Sequence, residues 1–283
     1  MNTKRKFIVS GIVLVFLGLG AYFIYKSMTY VTTDDAQVQA HVTMLSSKVN
    51  GTIQKVMVEE NQHVKAGDVL AQIDTQDYST VSLAAQANVA ALQARAHEAE
   101  VDLQRASNLF KSQAISRERY DNAQANSKDL EAKLKAAQAQ FEQANLNVSY
   151  TKILAPSEGV IARKSVEVGQ FVPTGQPLFG FVASNERWVI ANLKETDLEH
   201  IKKGLATKID IDAVSNKTYD GEVESIGPST GAVFSLLPPD NATGNFTKVV
   251  QRVPVRIKFA KLTDEDVERL QAGLSAYISI RIR

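Results

Sequence analysis

The sequence of 283 residues predicts an α+β protein in which a small β-sandwich is split by a long antiparallel helical hairpin and followed by a β-rich domain. Three observations carry this reading. Two apolar seams of heptad spacing run between about Asp77 and Ser149, an internal repeat lies on either side of them, and the last third is rich in alternating strand patterns. Composition narrows the function classes. Lys and Arg number 32 against 31 Asp and Glu, a net charge of +1, so no basic field is available to hold nucleic acid. With no cysteine, disulfides, thiolate metal sites and thiol nucleophiles are excluded.

In chain order, residues 1–6 form a basic cytoplasmic tail containing Lys4, Arg5 and Lys6. Residues 7–25, Phe7 to Tyr25, carry no charge and as a helix would span about 28 Å, enough for one membrane crossing. This predicts an uncleaved anchor rather than a secretory leader, whose apolar region is shorter. The positive-inside rule then puts the N-terminus in the cytoplasm and everything after Lys26 outside. Residues 26–46 read as a linker with a first barrel strand near Val38 to Val42.

Val49 to Ile73 can be laid on Ser157 to Phe181 without a gap, and eight of the 25 positions are identical. Average composition would give roughly one or two. The matches are Gly51/Gly159, Ile53/Ile161, Val58/Val166, Glu59/Glu167, Gln62/Gln170, Val64/Val172, Gly67/Gly175 and Leu70/Leu178. Each copy has a run of β-formers followed by a glycine-containing turn, so residues 47–76 and 150–183 read as two halves of one sandwich. Neither half could bury enough apolar surface alone.

Residues 77–149 lie between the halves. Ser82, Ala85, Val89, Leu92, Ala96, Ala99, Leu103, Ala106 and Phe110 alternate spacings of three and four, as do Tyr120, Ala123, Ser127, Leu130, Leu134, Ala137, Phe141, Ala144 and Val148. Two such seams predict an antiparallel coiled coil turning at Lys111 to Ser116, each arm roughly 50 Å long. In residues 184–283, Trp188 to Leu193, Thr207 to Ile211, Glu222 to Ile226, Val249 to Phe259 and Ala276 to Ile282 read as strands of a β-barrel. Thr196 to Lys203 and Asp264 to Leu270 read as short helices, the first stopped by Gly204, the second capped by Thr263 with Asp266 three positions on.

No catalytic constellation emerges. His41, His63, His97 and His200 are isolated, no phosphate-cradling glycine loop or G-x-S-x-G is present, and Asp34-Asp35 reads as a solvated acidic step. The chain is expected to be no enzyme and to hold no cofactor or metal. Between Gly227 and Asn245 the loop offers Phe234, Leu236 and Leu237, which either contact a substrate or transporter or fold back over their own barrel.

The run Val64 to Thr75 (VKAGDVLAQIDT) resembles the half-motif of biotinyl and lipoyl domains. By that family's pattern the modified lysine would fall at Asp77 and, in the second copy, at Asn185, so neither half can form the amide. A lipoyl-like domain split by a coiled-coil hairpin behind a single anchor resembles the periplasmic adaptors, or membrane fusion proteins, of the HlyD family. Thr33-Asp34-Asp35-Ala36 and the stretch from Ser229 through Phe246 to Val255 are similar to the EmrA type of multidrug adaptor. The resemblance implies a bacterial inner-membrane protein with its bulk in the periplasm. It implies self-association into a ring, an inner-membrane transporter of the major facilitator type as partner, and a TolC-like outer-membrane channel beyond. The alternative is an adaptor of an ABC-type (type I) protein or peptide secretion system.

Arg105, Leu109 and Ser116, at intervals of four and seven, match the Arg-Leu-Ser motif with which such adaptors dock on the channel. By spacing alone, Ser116 is equally the N-cap of the second arm, Leu109 a flank of the seam and Arg105 a solvated cation. The resemblance implies docking, and Ser116 can serve both purposes.

Overall fold

The computed structural model describes residues 29–234 and 249–282; the expected membrane span at residues 7–25 lies outside them. Its elements are β1 (Tyr30–Ser46), β2 (Gly51–Val56), β3 (His63–Val64), β4 (Val69–Ile73), α1 (Gln76–Lys111), α2 (Arg117–Tyr150), β5 (Lys152–Leu154), β6 (Gly159–Lys164), β7 (Phe171–Val172), β8 (Pro177–Lys194), β9 (Ala206–Ile211), β10 (Thr218–Ile226), β11 (Arg252–Phe259), α3 (Asp264–Arg269) and β12 (Ser275–Arg281). Two compact units result. One is Val42–Val182; the other combines the described residues up to His41 with those from Ala183 onward.

In the first unit the repeat is repeated structure. β2, β3 and β4 recur as β6, β7 and the start of β8 at the offset read from sequence. The halves exchange strands: β2 pairs with β7, and β3 with β6, both antiparallel. Hydrogen bonds are exchanged in the same reciprocal way. The Ile53 amide donates to the Gln170 carbonyl (2.9 Å) while that of Ile161 donates to Gln62 (3.1 Å). Gly67 donates to the Ala155 carbonyl (2.9 Å) and Gly175 to that of Ser47 (2.7 Å). The matched glutamines have one job, since the side-chain oxygens of Gln62 and Gln170 accept from the Glu59 and Glu167 amides at 2.9 and 3.2 Å. Each thereby closes its own turn. Ile53, Leu70, Ile73, Ile161, Leu178, Phe179 and Phe181 fill the shared core.

The hairpin enters after β4 and leaves into β5. Its arms have 36 and 34 residues, hence lengths of about 54 and 51 Å. Every residue assigned to the two seams is buried or half-buried except Phe110, which is 38% exposed and stacks on Tyr120 with ring centroids 5.3 Å apart. The buried positions are alanines: Ala99, Ala137 and Ala144. Ser112 and Gln113 make the turn, Gln113 in the left-handed region at φ 61°.

In the second unit the strand order β1-β12-β9-β10-β11-β8 closes through a β1–β8 pairing, a six-stranded barrel. Val38, Val189, Ala191, Ile209, Val223, Ile257, Ile278 and Ile280 fill it. Tyr277 points outward at 42% exposure, as the alternation of β12 requires. β1 far exceeds the short strand read at Val38 to Val42. Asp35 is not merely solvated: where β1 bulges between Thr33 and Ala36, its carboxylate pairs with Arg252 (3.0 Å) and accepts from Asn192 (3.0 Å). The helix read at Thr196 to Lys203 is a six-residue 3-10 segment, Glu195–His200, because Ile201 is already extended and so short a segment cannot propagate a helix.

α3 carries the capping box expected at Thr263, and Asp266 does more than cap. It is 6% exposed and receives Lys217, the Thr263 hydroxyl and the Tyr219 hydroxyl (3.1 Å). Those donors, Lys217 first and Thr263 next, hold its carboxyl well below the ordinary carboxylate range. Burial pushes the Tyr219 phenol up.

Three outcomes follow from this packing. A Cβ on Gly159 would sit 2.4 Å from the Val182 carbonyl oxygen and 2.5 Å from the Phe181 ring, so Gly159→Ala should destabilise by roughly 2–3 kcal/mol in denaturant titration. Gly67→Ala meets open space and bears only its positive φ, a cost of about 1 kcal/mol. Because the Asp266 pKa is depressed on folding, its stabilisation is present above the unfolded value of about 4 and is lost as pH falls from there toward the folded value. Asp266→Asn should therefore lower the melting temperature at pH 7 and flatten its decline below pH 4.

Candidate functional site

No group of acids and histidines among the described residues could hold a metal ion. The positions where a carrier lysine would stand are not hairpin tips. Asp77 lies in the first turn of α1, and Asn185 lies within β8, which runs on through the place where a hairpin would turn. Neither residue type nor backbone fits biotin or lipoate. His41 faces Glu186 (3.2 Å) and Trp188, whose other contact is the Arg256 guanidinium 4.0 Å from its ring centroid. This is an ion-pair and stacking network on the barrel wall.

The tip of the hairpin brings the three singled-out residues to one end of the two arms. Arg105 is 73% exposed and makes only a surface ion pair with Asp102 (3.1 Å). Leu109, 47% exposed, lies one turn further along the same face and takes no part in the seam, although its carbonyl accepts the Ala114 amide (2.8 Å) and so fixes the turn. Ser116 is the N-cap of α2, its hydroxyl accepting the Arg119 amide at 3.4 Å. The cap leaves the Ser116 side chain exposed. A forked cation, a dry contact and a hydroxyl are thus presented at an end that packing does not need.

Of the loop residues, Phe234 ends a 3-10 turn, Gly231–Phe234, while Leu236 and Leu237 lie outside the described residues. Sequence reasoning missed two clefts beside the hairpin base. One, of about 460 Å³, is lined by Asp74, Asp77, Tyr78, Val81 and Phe171 among others. The second, about 550 Å³, lies between the end of β1 and β5, with Met44, Lys48, Tyr150, Lys152 and Leu154 in its wall. The repeat was the available signal for the second, since the same offset sets Met44–Lys48 against Lys152–Pro156. Sequence identity stops before that segment.

Residues 39–184 match the family described as RND MFP, barrel-sandwich hybrid domain. The chain is 31% identical to the colistin resistance protein EmrA of Acinetobacter baumannii, over 96% of this chain and 94% of that one. It is 33% identical to the multidrug export protein EmrA of Haemophilus influenzae, over 99% of this chain and 85% of that one. In fold it is similar to the membrane fusion protein Spr0693 of Streptococcus pneumoniae R6, with a TM-score of 0.65 at 17% identity, over 89% of this chain and 98% of that one.

The cap at Ser116 can be tested apart from any partner. Ser116→Ala should cost about 1 kcal/mol and speed hydrogen exchange at Arg119, whereas Ser116→Asp should preserve protection there.

Proposed function

The chain belongs to the membrane fusion proteins of the barrel-sandwich hybrid type, and from that premise we propose that it is the periplasmic adaptor of a tripartite multidrug efflux pump. It links an inner-membrane transporter to a TolC-like outer-membrane channel and conducts rather than catalyses. The apolar run at residues 7–25 anchors it in the inner membrane, with the bulk of the chain in the periplasm. The matched family description names RND-type adaptors. A major-facilitator partner is favoured by the likeness of Thr33 to Ala36 and of Ser229 to Val255 to the EmrA type.

The observation that carries this reading is a hairpin of two arms, each about 50 Å long, whose exposed tip presents Arg105, Leu109 and Ser116 outside its own packing. Arg105 can fork onto carboxylates or carbonyls of a channel, and Leu109 supplies dry area beside it. Copies of the adaptor form a ring, with the mixed-charge, alanine-rich outer faces of the hairpins in lateral contact.

Deleting the chain should sensitise cells to hydrophobic drugs, and Arg105→Asp should do the same while abolishing cross-links to the channel. An exposed i,i+3 ion pair is worth little, so thermal stability of the variant should stay within about 0.5 kcal/mol of the parent. Undiminished resistance and cross-linking in the variant would overturn the docking role.

A further inference from the structure

The cleft between the end of β1 and β5 lies beside the edge strand of the four-stranded sheet, β5. β12 pairs with β1 only from Tyr30 to Gln37, so the edge of β1 beyond that region has no β12 neighbour; β5 pairs with β4 alone. Between them lies a space of about 550 Å³, within the range of small-molecule sites, roughly 300 to 1,000 Å³. Its wall exposes apolar side chains that nothing in the unit covers, Met44 at 50% and Leu154 at 47%.

Charge at this place has one sign. Lys48 and Lys152 both line the cleft, and no aspartate or glutamate does. Neither lysine has a carboxylate partner among the described residues; the Lys48 ammonium lies 4.7 Å from the Tyr150 ring centroid, and Lys152 is exposed. The C-terminus of α2 at Tyr150 contributes about half a negative charge, so two lysines leave the cleft positive. Ser46 and Ser149 add hydroxyls at the rim. The other cleft at the hairpin base, with Asp74 and Asp77 in its wall and no lysine or arginine, has the opposite character.

We propose that the β1–β5 cleft binds a small anionic amphiphile, its carboxylate or sulfonate between Lys48 and Lys152 and its apolar body against Met44, Tyr150 and Leu154. This deepens the efflux reading, on which the ligand's role as cargo rests, by giving the adaptor its own binding site and a preferred charge. Apolar contact supplies most of the affinity, and the two ammonium groups choose the sign.

The test uses the full chain in nanodiscs with two photoreactive probes of equal chain length, a diazirine-bearing decanoate and the matching alkyltrimethylammonium. Adducts are mapped by peptide mass spectrometry. Decanoate should label the segments 44–48 and 149–156, the ammonium probe should not, and Lys48→Glu/Lys152→Glu should reduce labelling roughly tenfold. Lys48→Arg/Lys152→Arg should retain it, and an unchanged melting temperature establishes that the charge-reversed variant is folded. Labelling of both probes alike, adducts spread over the chain, or labelling undiminished by charge reversal would overturn the proposal. Resistance measured on the same variants separates the two readings: export that survives loss of labelling removes the cleft's role in export alone, whereas export indifferent to deletion of the chain removes the adaptor reading itself.

Discussion

Ile53 and Ile161 send their amide hydrogens across to Gln170 and Gln62, each into the other half-repeat, and this reciprocal exchange is what the first unit depends on. A half on its own would leave β2 without β7 and β3 without β6, with strand edges open and half a core. Unpaired buried backbone groups cost about as much as lost hydrogen bonds, so the two halves are stable only together. The glycine pair shows how tight the fit is. Gly51 and Gly159 occupy the places where a side chain would strike Ile73 and Phe181, themselves matched positions of the repeat. Each half thus meets the same steric demand within itself, while the hydrogen bonds between Ile53 and Gln170 and between Ile161 and Gln62 tie the two halves together.

Features set by short-range periodicity were legible in the sequence. Heptad spacing picked out the inward faces of α1 and α2, the alternation of Ile278 and Ile280 gave the inner face of β12, and Thr263 with Asp266 marked the start of α3. The repeat was legible because its identical residues are those with a steric or hydrogen-bonding task, as at Gly51, Gln62 and Gly67. Long-range polar geometry was not legible. Nothing near Asp35 announces Arg252, more than two hundred residues away, and no pattern around Lys217 points to Asp266. The β1–β5 cleft escaped for a related reason. It is made by two segments whose backbones correspond while their side chains, Lys48 against Pro156 and Met44 against Lys152, do not.

Chemistry in this chain is concentrated where packing leaves side chains over. Along the seam the buried residues are small and interchangeable in kind, whereas the tip and the hairpin base carry the exposed Arg105, Leu109, Met44 and Leu154. Barrel polar groups are satisfied internally: the buried Arg187 gives its protons to the carbonyls of Leu270, Ala183 and Glu186, and burial lowers its pKa without a carboxylate at hand. Such groups hold the barrel together and offer nothing outward. That contrast separates residues kept for architecture from residues free to meet a partner.

Inserting the hairpin between two mutually dependent halves also shapes how the chain reaches its native state. Bringing the ends of a flexible segment as long as Gln76–Tyr150 together would cost about 4 kcal/mol of closure entropy. The seam between α1 and α2 is made of contacts that can zip outward from the turn at Ser112 and Gln113, each step closing only a short loop. Once zipped, it delivers Ala71 and Ile153 to facing positions of the β4–β5 pair. The alanine-lined arms are in this sense a built-in assembly jig, and the rate at which the sandwich condenses is tied to the helicity of a segment that contributes few residues to its core.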